Sequence, residues 1–152
     1  MHMFQGINDL NLDAKGRMSL PARYRESIQE SCSGNLVVTV DVDRCLLIYP
    51  MPEWHVIQQK LMQLPSMDRQ VRRLQRLIVG HATECDVDGS HRVLLPPPLR
   101  KFANLTKHAV LIGQGNKFEL WDQETWEKMR ERWIKDENKL SDISDALGNL
   151  SI

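Results

Sequence analysis

The sequence predicts an α+β fold built from two tandem copies of one small β-rich unit with flanking helices, and three observations predict it. The stretch Asp13-Ala-Lys-Gly-Arg17-Met-Ser-Leu-Pro21-Ala-Arg-Tyr-Arg25 recurs as Asp88-Gly-Ser-His-Arg92-Val-Leu-Leu-Pro96-Pro-Pro-Leu-Arg100, matching Asp, Arg, Leu, Pro and Arg at a constant offset of 75. Further on, Val38, Val40, Leu46, Ile48, Tyr49 and Trp54 correspond to Val110, Ile112, Phe118, Leu120, Trp121 and Trp126 at an offset of 72. In both copies the apolar pattern then changes from strand-like runs to helical spacing. A unit of about 45 residues is hardly able to build a core alone. The two copies are therefore expected to bury each other's apolar faces in one pseudo-symmetric β body, with two Asp-x-x-x-Arg turns related by an approximate two-fold axis.

Each copy reads alike along the chain. A short strand runs into a polar turn holding Gly16 or Gly89, and a second strand emerges, Arg17 to Leu20 or Arg92 to Leu95. Pro21 and Pro96 suit the first turn of a helix, where a missing N–H costs nothing, and these helices extend to about Glu30 and Phe102. Two β-rich runs follow: Leu36 to Val42 with Cys45 to Tyr49, and Ala109 to Ile112 with Lys117 to Trp121. Turns at 41–44 and 113–116 join them. Trp54, Ile57, Leu61 and Leu64 then lie on one helical stripe, as do Trp126, Met129 and Trp133, and both stripes read as core or interface anchors.

Between the copies, residues 66–80 read as a connecting helix, with Pro65 as the break before it and Gly80 as its stop. Met67, Val71, Leu74 and Ile78 share one face, while Arg69, Arg72, Arg73 and Arg76 lie largely off it on a solvated face. This gives a first unit over residues 7–53, connecting helices over 54–81, a second unit over 82–125, and a C-terminal helix and tail over 126–152. Met1-His2 reads as a vector-derived start before Met3.

Composition narrows the function classes. No apolar run approaches the roughly 18 residues of a membrane span, and no basic-then-apolar leader opens the chain, so a cytoplasmic protein with no membrane partner is expected. Cys32, Cys45 and Cys85 are odd in number and contain no Cys-x-x-Cys pair, the pattern of buried thiols rather than disulfides or structural zinc. His81 and Cys85 stand at metal-capable spacing without a second pair, so no metal or other cofactor is expected. The chain lacks a Gly-rich phosphate loop after a strand, a nucleophile elbow and a His-Glu-x-x-His pattern, and Asp41, Asp43, Asp86 and Asp88 fall in turns where carboxylates are common. Catalysis is not expected. Formal charge is zero, with 20 basic and 20 acidic side chains. Nine acids and five bases lie in residues 119–152, leaving 11 acids and 15 bases before them, a basic body with an acidic end. Such a distribution permits nucleic-acid binding without a global attractive field.

The turns are where recognition is expected. In Asp13-Ala-Lys-Gly-Arg17 the glycine allows a tight turn, Asp13 accepts turn amides or the Arg17 side chain, and Arg17 and Lys15 project from a fixed frame. An arginine fork reads guanine O6 and N7 bidentately or clamps a phosphate, and Lys15 suits a phosphate. Asp88 and Arg92 repeat the frame, with Ser90-His91 in place of Lys15-Gly16. A single Asp–Arg pair is more economically read as a surface contact holding its own turn. Two in register favour a recognition device.

These residues resemble the MraZ family, whose members carry two tandem SpoVT-AbrB-type units. The likeness rests on residues 13–25, Leu46-Leu-Ile-Tyr-Pro50 with Glu53-Trp54, Gly80-His-Ala-Thr-Glu84, Asp88 to Arg92, and Asn116-Lys-Phe-Glu-Leu-Trp121, and covers all but the last dozen residues. The resemblance implies a double-psi-like, swapped-hairpin β-barrel of the AbrB type. It further implies a ring-shaped homo-oligomer in the cytoplasm, associated with the nucleoid. That oligomer would bind double-stranded promoter DNA at short direct repeats before the division and cell-wall gene cluster, its own promoter included, and repress transcription. By the same resemblance Asp13, Lys15 and Arg17, with Asp88 and Arg92, form the DNA-facing surface, and His91 is a phosphate contact when protonated or else a spectator. The rival reading is an antitoxin-like protein-interaction module of the same hairpin fold, whose acidic C-terminal helix masks a partner.

Overall fold

The computed structural model describes residues 3–136. The readings of Met1-His2 as a leader and of residues 140–152 as a tail lie outside the described residues. The first copy contains β1 (Phe4–Asn11), β2 (Arg17–Ser19), α1 (Ala22–Cys32), β3 (Leu36–Val40), β4 (Leu46–Pro50) and α2 (Met51–Met62). The second contains β5 (Thr83–Glu84), β6 (Arg92–Leu94), α4 (Pro97–Phe102), β7 (His108–Gly115), β8 (Phe118–Asp122) and α5 (Gln123–Lys135). Between them α3 (Arg69–Leu74) starts where Asp68 accepts the amides of Gln70 and Val71, and runs into a π-helical turn, Gln75–Val79.

The strands pair across the copies. One sheet has the order β1-β7-β8-β4-β3-β5, entirely antiparallel, and β2 pairs with β6 in a separate two-stranded ribbon. The first strand of each copy lies against the third-strand position of the other: β1 on β7, and β5 on β3. In the ribbon Met18 stands opposite Val93, its own counterpart at offset 75, and in the large sheet Leu47 stands opposite Glu119, its counterpart at offset 72. Both pairs therefore lie on the approximate two-fold axis expected from the repeat.

The large sheet is covered on both faces, which is why β3 and β4 are buried at every position. Leu36, Val38, Val40, Leu46 and Ile48 point to a core shared with Met18, Leu20, Ile28, Val93, Leu95, Leu99 and Phe118. On the opposite face, Val37, Leu47 and Tyr49 meet Trp54 of α2, Trp121, Trp126 and Met129. Buried Thr39 donates its hydroxyl to the carbonyl of Ile78 in the π-helical turn, so this buried polar side chain is satisfied.

Three expectations need correction. The sheet does not close into a barrel: β1 and β5 are its edges, and β5 is only two residues long, too short to carry the ladder round. The first strand is eight residues rather than short, because β7 continues through the expected turn at 113–116 as far as Gly115 and pairs with it along its whole length. Pro21 and Pro96 stand just before their helices in extended conformation, while Pro97 takes the first-turn place. The helical stripes also fray outward: Trp54 is buried, but Leu64, Met67 and Trp133 are exposed.

Candidate nucleic-acid interface

The two turns are built by one set of hydrogen bonds used twice. At the first, Asp13 Oδ1 accepts the amides of Lys15 at 3.0 Å and Arg17 at 2.9 Å, and Oδ2 accepts Arg17 Nε at 2.6 Å. At the second, Asp88 Oδ1 accepts the amides of Ser90 at 2.8 Å and Arg92 at 2.9 Å, and Oδ2 accepts Arg92 Nε at 3.1 Å. Main-chain bonds close both loops, Asp13 N to the Arg17 carbonyl and Asp88 N to the Arg92 carbonyl. Each carboxylate thus has one oxygen for the loop and one for the guanidinium.

Chain geometry explains why these residue types recur. The position before each arginine takes a left-handed conformation, Gly16 at φ 82° and His91 at φ 60°. The second turn holds its glycine elsewhere, at Gly89. Structurally it is His91 that occupies the place of Gly16, and histidine is among the few side-chain-bearing residues enriched in that region. Gly16 has a further constraint, since the Arg100 guanidinium packs where a Cβ would project. Arg100 Nε donates to the Leu95 carbonyl, as Arg25 Nε does to that of Leu20, so this pair too is duplicated.

The loops also hold each other. Leu20 N donates to the His91 carbonyl at 2.8 Å and Leu95 N to the Gly16 carbonyl at 3.1 Å, so the residue at each apex caps the strand leaving the other loop. Within the β2–β6 ribbon Met18 and Val93 are fully buried, and strand alternation puts Arg17, Ser19, Arg92 and Leu94 on the opposite, outward face. Arg17 and Arg92 are partly exposed, while Lys15, Ser90 and His91 are exposed. The Lys15 side chain makes no hydrogen bond or ion pair among the described residues. All six sequence-derived candidates, Asp13, Lys15, Arg17, Asp88, His91 and Arg92, therefore belong to this one ribbon and its two loops.

Electrostatically the carboxylates are committed. Asp13 is held down to about 2, first by the Arg17 amide and then, against an opposing cost of desolvation, by the Arg17 side chain and the Lys15 amide. Asp88 is lowered by the equivalent amides of Arg92 and Ser90. With Nε spent on the carboxylate, the terminal Nη groups of each guanidinium remain at the free end of the fork. That end matches a guanine edge or a phosphate.

Sequence reasoning missed Ser19 and Leu94. They share the outward face, and alternation about buried Met18 and Val93 was the signal that would have found them. Beside the ribbon lies an opening of about 520 Å³ whose lining includes Lys15, Glu84, Asp86, Leu94, Pro96 and Arg100. His81 and Cys85 do not converge: His81 Nδ1 sits on the Leu77 carbonyl and the Cys85 thiol on that of Thr83. Asp41, Cys45 and Glu119 do come together, with the buried Cys45 thiol pushed far up by burial and then by the two carboxylates. No helix among the described residues is long and apolar enough to cross a membrane.

Comparison with known proteins agrees with the duplication. A family model described as MraZ protein, antitoxin-like, matches twice, over residues 3–77 and 78–147. A protein of Thioalkalivibrio sulfidiphilus named transcriptional regulator MraZ is 61% identical over 150 residues, covering 99% of this chain and all of the relative. Proteins of the same name from Methylococcus capsulatus and Escherichia coli are 52% and 49% identical, covering 98% and 99% of this chain and 99% and 100% of their own lengths. Matched twice by the family model and similar to these relatives from end to end, the chain belongs to the MraZ family.

Proposed function

We propose that the chain is a sequence-specific DNA-binding transcriptional regulator, in which Arg17 and Arg92 read base edges or phosphates and Lys15 contacts phosphate. One observation carries this reading: two aspartate-tethered guanidinium groups stand on the outward face of a single two-stranded ribbon, in copies related by a two-fold axis. A two-stranded ribbon is narrow enough to enter a major groove. Relatives named as transcriptional regulators support the same conclusion.

The finer reading is a repressor acting on direct repeats in the promoter of the division and cell-wall gene cluster, its own included. The crossed pairing of β1 with β7 and of β5 with β3 supports an AbrB-type swapped-hairpin arrangement for the two units at 7–53 and 82–125. A ring of copies is the assembly that suits a chain of zero net charge. Each copy makes few phosphate contacts, and several linked copies on spaced repeats multiply them through effective concentration. Such a protein works in the cytoplasm on the nucleoid and needs no cofactor and no catalytic step.

Capture of sheared genomic DNA by the purified protein tests the proposal. Enrichment of one promoter fragment, with repeated sites protected in footprinting, is the expected result. Uniform recovery of all fragments, or stoichiometric binding of another protein with no defined DNA site, would overturn it in favour of the interaction-module reading.

A further inference from the structure

Positions 19 and 94 are equivalent in the repeat but differ in chemistry. In the ribbon register Arg17 stands opposite Leu94 and Arg92 opposite Ser19, so each arginine has across from it the residue that follows the other arginine by two places. Both positions are exposed, and Leu94 is 56% exposed although it belongs to a strand whose neighbour Val93 is fully buried. Along the outward face the first arginine therefore has an apolar neighbour and the second a hydroxyl. Lys15 borders the same opening as Leu94, which adds a cation to the Leu94 side, whereas its counterpart Ser90 adds none to the other.

Resting on the DNA-binding reading above, we infer that Leu94 is a specificity-determining residue that contacts the 5-methyl group of a thymine beside the base read by Arg17. The base edges in a major groove offer donors, acceptors and one apolar group, the thymine methyl. A leucine held outward between guanidinium groups has that group as its match, whereas Ser19, on the other half, pairs with a polar edge. The two-fold body thus presents a face that is not two-fold in chemistry. A single chain reads an asymmetric stretch of DNA and binds it in one direction.

The test uses the full chain and its captured promoter fragment, with each thymine replaced singly by deoxyuridine, which removes the methyl group and nothing else. One or two positions should weaken the parent protein by about fourfold, the loss of one buried methyl group. The same replacements should cost Leu94→Ala nothing and should still cost Leu94→Met, which keeps the apolar contact. Equal deoxyuridine losses in parent and Leu94→Ala overturn the inference, as does a change of oligomer size in Leu94→Ala, which would place the side chain between copies. Arg17→Ala is measured alongside. If it binds the fragment like the parent, the ribbon itself is not the DNA surface; if it weakens while Leu94→Ala retains the deoxyuridine losses, the Leu94 assignment alone fails.

Discussion

Replacing Arg17 by lysine separates recognition from charge. In the parent, Arg17 Nε is fixed on Asp13 Oδ2 at 2.6 Å, and the fork beyond it presents two parallel N–H donors. Lysine keeps the positive charge but can serve the carboxylate or the DNA, not both, and it has no planar pair of donors. A bidentate base contact discriminates by about 1–3 kcal/mol, which is about 5- to 160-fold in Kd. The loop should survive the change, because Asp13 still accepts the amides of residues 15 and 17 and the main-chain bond between residues 13 and 17 is untouched. Fluorescence anisotropy on the promoter fragment and on a scrambled duplex, both at one fixed salt concentration, reads the effect. Specific affinity should fall within that range while scrambled affinity stays level. Equal losses on both duplexes would make Arg17 a phosphate contact, and no loss on either would reduce the Asp13–Arg17 pair to a fastening for its own loop.

Three further outcomes are expected. Lys15→Ala should weaken promoter and scrambled DNA alike and reduce the slope of log affinity against log salt by about 0.9, one phosphate contact; a loss confined to the promoter would contradict this. Met18→Ala, at the axis and fully buried, should destabilise by about 2–5 kcal/mol in urea unfolding, with both loops lost in one transition, and two separate transitions would show that the copies do not share a core. Asp13, held at about 2 against an ordinary 3.8, should still be ionised at about pH 3 in a carboxyl NMR titration. Because its value is lowered in the folded state, its contribution is fully present above the ordinary value and is lost progressively as pH falls from there through about 2. Titration of Asp13 at the ordinary carboxylate value would refute the loop geometry.

The repeat was legible because Asp, Arg, Leu, Pro and Arg perform the same local task in both copies, and local tasks leave residue-by-residue marks. Arg25 and Arg100 recur for that reason: each closes on a carbonyl five residues earlier. The strand partners were not legible. Nothing in the polar stretch at 5–11 says that it will lie along β7, since the register is set by tertiary packing of Phe4 against Tyr24 and Phe118. The alignment placed His91 at the position of Gly16, but its left-handed conformation was not legible, because glycine is the usual marker of such a residue. The four-residue spacing from Asp to Arg, the same in both copies, was the better guide.

The exchanged caps, Leu20 N on the His91 carbonyl and Leu95 N on the Gly16 carbonyl, make the pair of loops behave as a caliper with locked jaws. On the proposed DNA-binding reading, two loops tied in this way would not adapt their spacing independently to the duplex. The groove must come to the span, by twisting or widening, and the cost depends on how pliant the base steps between the contacts are. Selectivity would then reside partly in bases that no side chain reaches.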